Sequence, residues 1–459
     1  MKKIPVITAL LLNLAFTAYG QEPYSLKSCI ETGLVQNYSL RIVRNEEEMA
    51  RNNATRANAG MMPTLDLNAG YNGNVDNTKS IARADKTASH QNGLYDGNVN
   101  VGIDLNWTIF DGFSLITEYH ILKELEKQGE TLTRIAIEDY IAQLSSEYYN
   151  YIQQEIRLKN FLYAVSLSKE RLRIVEERYQ IGNFSRLDLL QARVDFNADS
   201  SKYMSQHELV TASRIRINEL LANENLDERF SIPDSVIRVN ATLDMNNPIA
   251  VVDTVIDVNT LLVFEELWTS TLQTNASLLK AEQDKTIANL DLKKVFSRNY
   301  PYVRLNAGYG YTLNTYDRTN TQLRRNNLGA SFGLTIGFNL YDGNRRREIR
   351  NARIAAQNAE LQQKDIVQSL RADISNLWQA YKNNIEVLNL ERENLTAAKE
   401  NYLIARERYI LGNLSGIELR EAQKSLLDAE ERILTAEYDT KLCEISLLQI
   451  SGKITDYLR

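Results

Sequence analysis

The stretch Asn98–Gly112, NVNVGIDLNWTIFDG, decides how the rest of the chain is read. Val99, Val101, Ile103, Leu105, Trp107 and Ile109 alternate with Asn98, Asn100, Gly102, Asp104, Asn106 and Thr108. A strict period of two puts apolar side chains on one face of a strand and polar or small ones on the other. Held over about ten residues, that is the pattern of a transmembrane β-strand with lipid on one side and water on the other. Taken alone, it also suits a half-buried sheet in a soluble protein. The alternation stops at Phe110-Asp111-Gly112, and a helical pattern follows.

The same passage occurs again. Leu328, Ala330, Phe332, Leu334, Ile336, Phe338 and Leu340 alternate with Asn, Gly, Ser and Thr and end in Tyr341-Asp342-Gly343, at an offset of 231. Upstream, 37–70 corresponds to 275–308 at an offset of 238, with Pro63 falling on Pro301 and Asn68-Ala69-Gly70-Tyr71 on Asn306-Ala307-Gly308-Tyr309. Downstream, Arg178-Tyr179, Gly182-Asn183 and Ser185 recur as Arg408-Tyr409, Gly412-Asn413 and Ser415 at an offset of 230. Three anchors in one order at nearly constant offset indicate a tandem duplication. The first copy is expected over 21–222, with strands at 64–76 and 97–110, a long helix at 111–181 and a return helix at 184–222. The second is expected over 260–450, with strands at 302–314 and 326–341, a long helix at 342–411 and a return helix at 415–450. A linker at 223–259 and a tail at 451–459 complete the chain. Four strands are too few to close a membrane barrel, which needs about eight at least. Several chains must therefore share one.

No proline lies between Pro63 and Pro233, or after Pro301, which leaves room for very long helices. Of eleven positions stepping by four and three from 144 to 179, Leu144, Tyr148, Tyr151, Leu158, Leu162, Val165, Leu172 and Tyr179 are apolar or aromatic and Glu155, Lys169 and Glu176 are the exceptions; adding 230 gives Ile374, Trp378, Tyr381, Ile385, Leu388, Leu395, Tyr402 and Tyr409, again eight of eleven. A sustained 3.5-residue period specifies a left-handed coiled coil, and at 1.5 Å per residue such helices reach roughly 100 Å. Asp111 and Asp342 sit where strand gives way to helix and suit N-caps. Gly182 and Gly412 sit where the long helices must reverse and suit left-handed C-caps.

Composition narrows the function. With 59 acidic and 53 basic residues spread along the chain, no electrostatic footprint for nucleic acid exists. Residues 1–20 read as an export signal: Lys2-Lys3, an apolar run from Val6 to Ala15, then the small-x-small site Ala18-Tyr19-Gly20. Later segments lack the 18 or so apolar residues of a membrane helix, so any crossing is made by strands. Cys29 and Cys443 are either a disulfide in an oxidising compartment or two buried thiols. His90, His120 and His207 are scattered, and no nucleophile elbow, phosphate loop or CxxC pair occurs, so an enzyme, a metal site and a cofactor are not expected. A periplasmic coiled-coil scaffold with a small sheet and no pore is the alternative to a channel.

The duplication, the strand-end motifs at 110–112 and 341–346, and the turn motifs Arg178-Tyr-x-x-Gly182-x-x-Ser185-x-x-Asp188 and Arg408-Tyr-x-x-Gly412-x-x-Ser415-x-x-Glu418 together resemble the TolC-type outer-membrane efflux family. The resemblance covers nearly the whole mature chain. It implies a homotrimer sharing a twelve-stranded β-barrel in outer-membrane lipid, continued by an α-helical coiled-coil tunnel into the periplasm. It also implies export of small molecules or proteins together with a periplasmic adaptor and an inner-membrane pump. By the same resemblance Glu418, Glu421 and Asp188 fall at the acidic pore constriction, where the family more usually carries aspartates. Arg178, Gly182, Ser185, Leu187, Arg408, Gly412, Ser415 and Ile417 fall at the tips that dock the adaptor. Asp188 and Glu418 equally suit the positive end of a returning helix.

Overall fold

A computed structural model describes residues 25–81, 88–229, 237–239, 252–254, 256–259, 261–316 and 323–455; the export signal read at 1–20 lies outside the described residues. The first half contains α1 (Leu26–Gln36), α2 (Tyr38–Asn53), β1 (Thr64–Ile81), β2 (Ala88–Asp111), α3 (Ser114–Gln180) and α4 (Arg186–Leu220). A short antiparallel pair follows, β3 (Ile237–Val239) with β4 (Val252–Thr254). The second half contains α5 (Phe264–Thr274), α6 (Ala276–Ser297), β5 (Tyr302–Tyr316), β6 (Arg324–Gly337), α7 (Arg345–Ile410) and α8 (Gly416–Ile450). The order helix, helix, strand, strand, long helix, return helix thus occurs twice. No helix among the described residues is long and apolar enough to cross a membrane.

The chain divides into two compact units. One comprises Arg44–Leu132 and Ser277–Ile366 and holds the main sheet, an antiparallel array in the order β1-β2-β5-β6. Its register aligns like with like. Leu67 faces Ile103, Ile103 faces Tyr309 and Tyr309 faces Ala330; one step on, Val101 faces Tyr311 and Tyr311 faces Leu328. Between these rows Asn68 pairs with Gly102 and Gly102 with Gly310, while Asn106 pairs with Asn306. Since alternate residues point to opposite faces, one face is apolar over all four strands and the other is built of Asn, Asp, Gly, Ser and Thr. Asn68 donates to Asp104 at 2.8 Å and Asn306 to Asn106 at 2.7 Å across the polar face. The apolar face is uncovered: Leu67 is 74% exposed and Phe332 91%. Among the described residues β1 and β6 have a partner on one side only, so the sheet is open.

The strand limits differ from those the alternation predicts. β1 runs past 76 to Ile81 and β2 begins at Ala88 instead of 97, because backbone pairing continues through Lys79–His90 and Ser80–Ser89, where no apolar face exists to mark it. β6 ends at Gly337 instead of 341: Gly337 pairs with Tyr302, and Pro301 before it has no N–H to extend the ladder. The long helices begin three residues later than predicted. Gly112 and Phe113 both have positive φ, 73° and 74°, which holds the chain out of a helix until Ser114. Asp111 still serves the helix start, accepting from the Leu115 amide at 3.0 Å, and Asp342 accepts from the Asn344 amide at 2.9 Å ahead of Arg345.

The other unit comprises the chain up to Val43, Thr133–Ala276 and Val367–Arg459. Its core gathers Ile30, Tyr140, Ile141, Leu144, Tyr148, Ile152, Ile156, Ile217, Leu221 and Leu434. The predicted seam is buried at Leu144, Tyr148 and Tyr151 in α3, and at Ile374, Tyr381, Leu388, Tyr402 and Tyr409 in α7. Leu162 and Tyr179 depart from it: they are 53% and 40% exposed. Asn37, between α1 and α2, donates from Nδ2 to Leu220 O at 2.9 Å, and Asn275, between α5 and α6, donates to Ile450 O at 2.9 Å. Each asparagine ties its short helix pair to the end of its own return helix. Gly33 is required beside this junction, since a Cβ there would overlap the Tyr140 hydroxyl, which itself donates to Leu220 O at 3.0 Å. Cys29 and Cys443 are both free, and burial pushes the Cys29 thiol up to about 12.

Candidate functional site: the hairpin tips

α3 and α7 each reverse through a five-residue link between helix ends whose hydrogen bonds are closed locally. Gly182 donates to Tyr179 O at 3.0 Å and Asn183 to Arg178 O at 2.9 Å; Gly412 and Asn413 make the same bonds to Tyr409 O at 3.1 Å and Arg408 O at 2.8 Å. These are Schellman closures, and they place Gly182 and Gly412 at φ 81° and 78°, where a side chain is strained. The returning helices open with matching capping boxes. The Ser185 hydroxyl accepts from the Asp188 amide at 3.2 Å, and Asp188 accepts from Ser185 N at 3.0 Å. Ser415 and Glu418 repeat the exchange at 3.3 and 2.9 Å.

The carboxylates of Asp188 and Glu418 are therefore turned back onto their own helix starts. The Ser185 hydroxyl and amide hold Asp188 below the usual carboxylate range, and the Ser415 amide and hydroxyl do the same for Glu418. Glu421 lies nearly a turn further along α8, is exposed, and makes no ion pair among the described residues. Both tips present apolar side chains outward: Ile181 and Leu187 on the first, Leu411 and Ile417 on the second, all more than two-thirds exposed.

Above the turns the tips diverge. The Arg178 guanidinium lies 5.4 Å from the ring centroids of both Phe184 and Tyr409, joining the first tip to the second, whereas Arg408 is exposed. Tyr409 is almost fully buried and Tyr179, its counterpart, is not. The return helices are tied by ion pairs that the sequence reading did not foresee. Arg420 grips buried Asp199 through two bonds of 2.8 and 2.9 Å, Arg171 pairs with Asp195, and Arg157 pairs with Glu431. One signal was available, since Arg420 stands at the position where the first copy has Leu190, a departure from the duplication that needs a partner. His90, His120 and His207 are exposed, and no group of residues among those described is arranged to hold a metal.

A model of the outer membrane efflux protein family matches residues 29–223 and 267–453. The chain belongs to that family. Members of this family are channels, not enzymes, so the protein is an outer-membrane efflux channel extending into the periplasm. Outer membrane protein TolC of Vibrio cholerae serotype O1 is 20% identical over 429 residues, covering 90% of this chain and 87% of TolC. Among solved structures, a membrane protein from Pseudomonas aeruginosa has the same fold, with a TM-score of 0.72 at 16% identity over 93% of this chain and 90% of that one. The CmeC outer membrane channel of Campylobacter jejuni gives a TM-score of 0.71 at 17% identity, covering 93% and 85%.

Proposed function

We propose that three copies of this chain close a twelve-stranded barrel, β1 of each pairing with β6 of the next, and that the trimer is the outer-membrane duct of a tripartite efflux or type I secretion system. The observation that carries this reading is the sheet: four strands, one uncovered apolar face, one polar face and two open edges. In hydrocarbon each unpaired backbone group costs several kcal/mol, so a sheet with open edges is tolerated only once another copy closes it. The polar face then lines a wet lumen, and the two copies of the duplication contribute alternate pairs of strands to the wall.

In this reading the exposed apolar residues of the tips, with Arg178, Gly182, Ser185, Leu187, Arg408, Gly412, Ser415 and Ile417, meet a periplasmic adaptor that links the duct to an inner-membrane pump. Glu421 supplies a three-fold ring of carboxylates at the narrow end. Glu418 and Asp188 add charge close by while they cap their helices. Small polar walls pass small molecules or unfolded protein without selecting among them. Native mass determination in detergent tests the assembly: three copies are expected, and a monomer that conducts ions in planar bilayers overturns it. Single-channel recording tests the ring, because Glu421→Gln should relieve block by a trivalent cation more than Glu418→Gln does. Equal block in parent and double variant removes both glutamates from the pore.

A further inference from the structure

The start of α7 carries Arg345, Arg346, Arg347, Arg350 and Arg353, where the corresponding start of α3 carries Ser114, Leu115, Ile116, Tyr119 and Leu122. Two of the five are occupied: Arg345 donates to Asn339 O at 2.9 Å and to Asn299, and Arg353 lies over the Phe296 ring at 5.6 Å. Arg346, Arg347 and Arg350 are exposed and make no ion pair among the described residues. Glu348, the acid within the run, is already paired with Arg298. Three guanidinium groups within two turns repel one another, and they stand at the positive end of a helix, where cations are disfavoured. The arrangement calls for an anion that the described residues do not provide.

What lies beside them says which anion. The apolar face of β6 ends at Ile336, and the segment leading to α7 exposes Phe338, Leu340 and Tyr341; Tyr300 and Phe113 are exposed at the same end of the sheet. Aromatic side chains bordering an apolar strand face mark the level where hydrocarbon meets headgroups. The arginines follow within one to three turns of helix, at phosphate depth. We propose that Arg346, Arg347 and Arg350 bind the phosphates of anionic phospholipids in the periplasmic leaflet, giving the trimer a collar of three basic patches separated by three uncharged ones. This rests on the reading of the apolar face as lipid-facing.

Native mass spectrometry of the detergent-solubilised trimer, offered equal amounts of phosphatidylglycerol and phosphatidylcholine, tests it. The parent should retain the anionic lipid with about a tenfold preference, in line with the gain that each basic residue makes near an anionic surface. The variant R346Q/R347Q/R350Q should lose most of that preference while remaining trimeric. A control variant, K202Q/K382Q/K424Q, removes the same charge from exposed helix positions far along the sequence and should keep it. Unchanged preference in the arginine variant overturns the proposal. So does a loss that appears only as altered ion selectivity of the pore, which would put these groups in the lumen. Flotation with liposomes reports on the barrel separately: if the parent does not float, the lipid-facing reading has failed, and the collar falls with it.

Discussion

The two units of this chain use the same apolar residue types in opposite ways. In the helical unit Ile141, Leu144, Ile152 and Leu434 have no exposed surface, whereas on the sheet Leu328, Leu334 and Ile336 are 60 to 69% exposed. Neither unit is poorly made. The helices satisfy their backbone within themselves and need only cover a stripe, which neighbouring helices of the same chain do. The sheet satisfies its backbone between strands and leaves its apolar face and two edges uncovered, which the proposed barrel gives to lipid and to another copy. Burial within one chain is thus a poor measure of whether an apolar residue is in its final environment.

The comparison can be broken at four points. Ile152→Ala removes a side chain from the closed core and should destabilise the helical unit by about 2–5 kcal/mol, read as a lowered denaturation midpoint of the detergent-solubilised protein. A loss under a tenth of that range would mean the core is looser than its packing. Leu334→Arg puts a charge on the apolar face and should oppose insertion by about 2–4 kcal/mol, whereas Ser331→Arg, on the polar face of the same strand near Asp104, should insert normally. Equal membrane recovery of the two variants would end the two-face reading.

The third point is an acid inside the helical unit. Burial pushes Glu430 up to about 7, with Lys399 opposing the shift only in part. A carboxyl raised in this way favours the fold while protonated, so its contribution is complete below its unfolded pKa and is lost as pH rises from about 4.5 through about 7. Glu430→Gln should flatten that slope and add on the order of 2 kcal/mol at pH 8, measured by denaturation across the pH range. A slope as steep as the parent's would place the titrating group elsewhere. The smallest effect concerns Ala222, which holds φ 55° at the end of α4, where the second copy has Gly452 at 67°. Ala222→Gly relieves that conformation and should stabilise by about 0.5–1 kcal/mol. A loss of stability would show that the alanine methyl packs more than it strains.

Much of this was legible in the sequence because the signals were periodic. The alternation at 98–109 and 327–340 and the repeat of Gly182 and Ser185 at Gly412 and Ser415 are local patterns, and the strands, turns and capping boxes follow them. The hairpin extension beyond 76 and 97 left no trace, because a strand wetted on both faces has no reason to alternate. The delayed start of α3 turned on backbone angles at Gly112 and Phe113 that no residue pattern announces. The bonds from Asn37 and Asn275 to the return helices span most of a repeat, and the aligned asparagines were their only trace. Whether Asp188 and Glu418 face a lumen is not a property of one chain, since in the proposed assembly the lumen lies between copies.

The open edges of β1 and β6 also bear on inheritance. In the proposed ring of three, every chain offers one edge and receives another, so a single copy with a blocked edge would leave the circle incomplete. A proline placed mid-strand in β6 would therefore act dominantly: in a cell making both forms, the yield of intact channels falls as the cube of the normal chain's share. The defective allele needs no altered function to be harmful, only the ability to begin assembling.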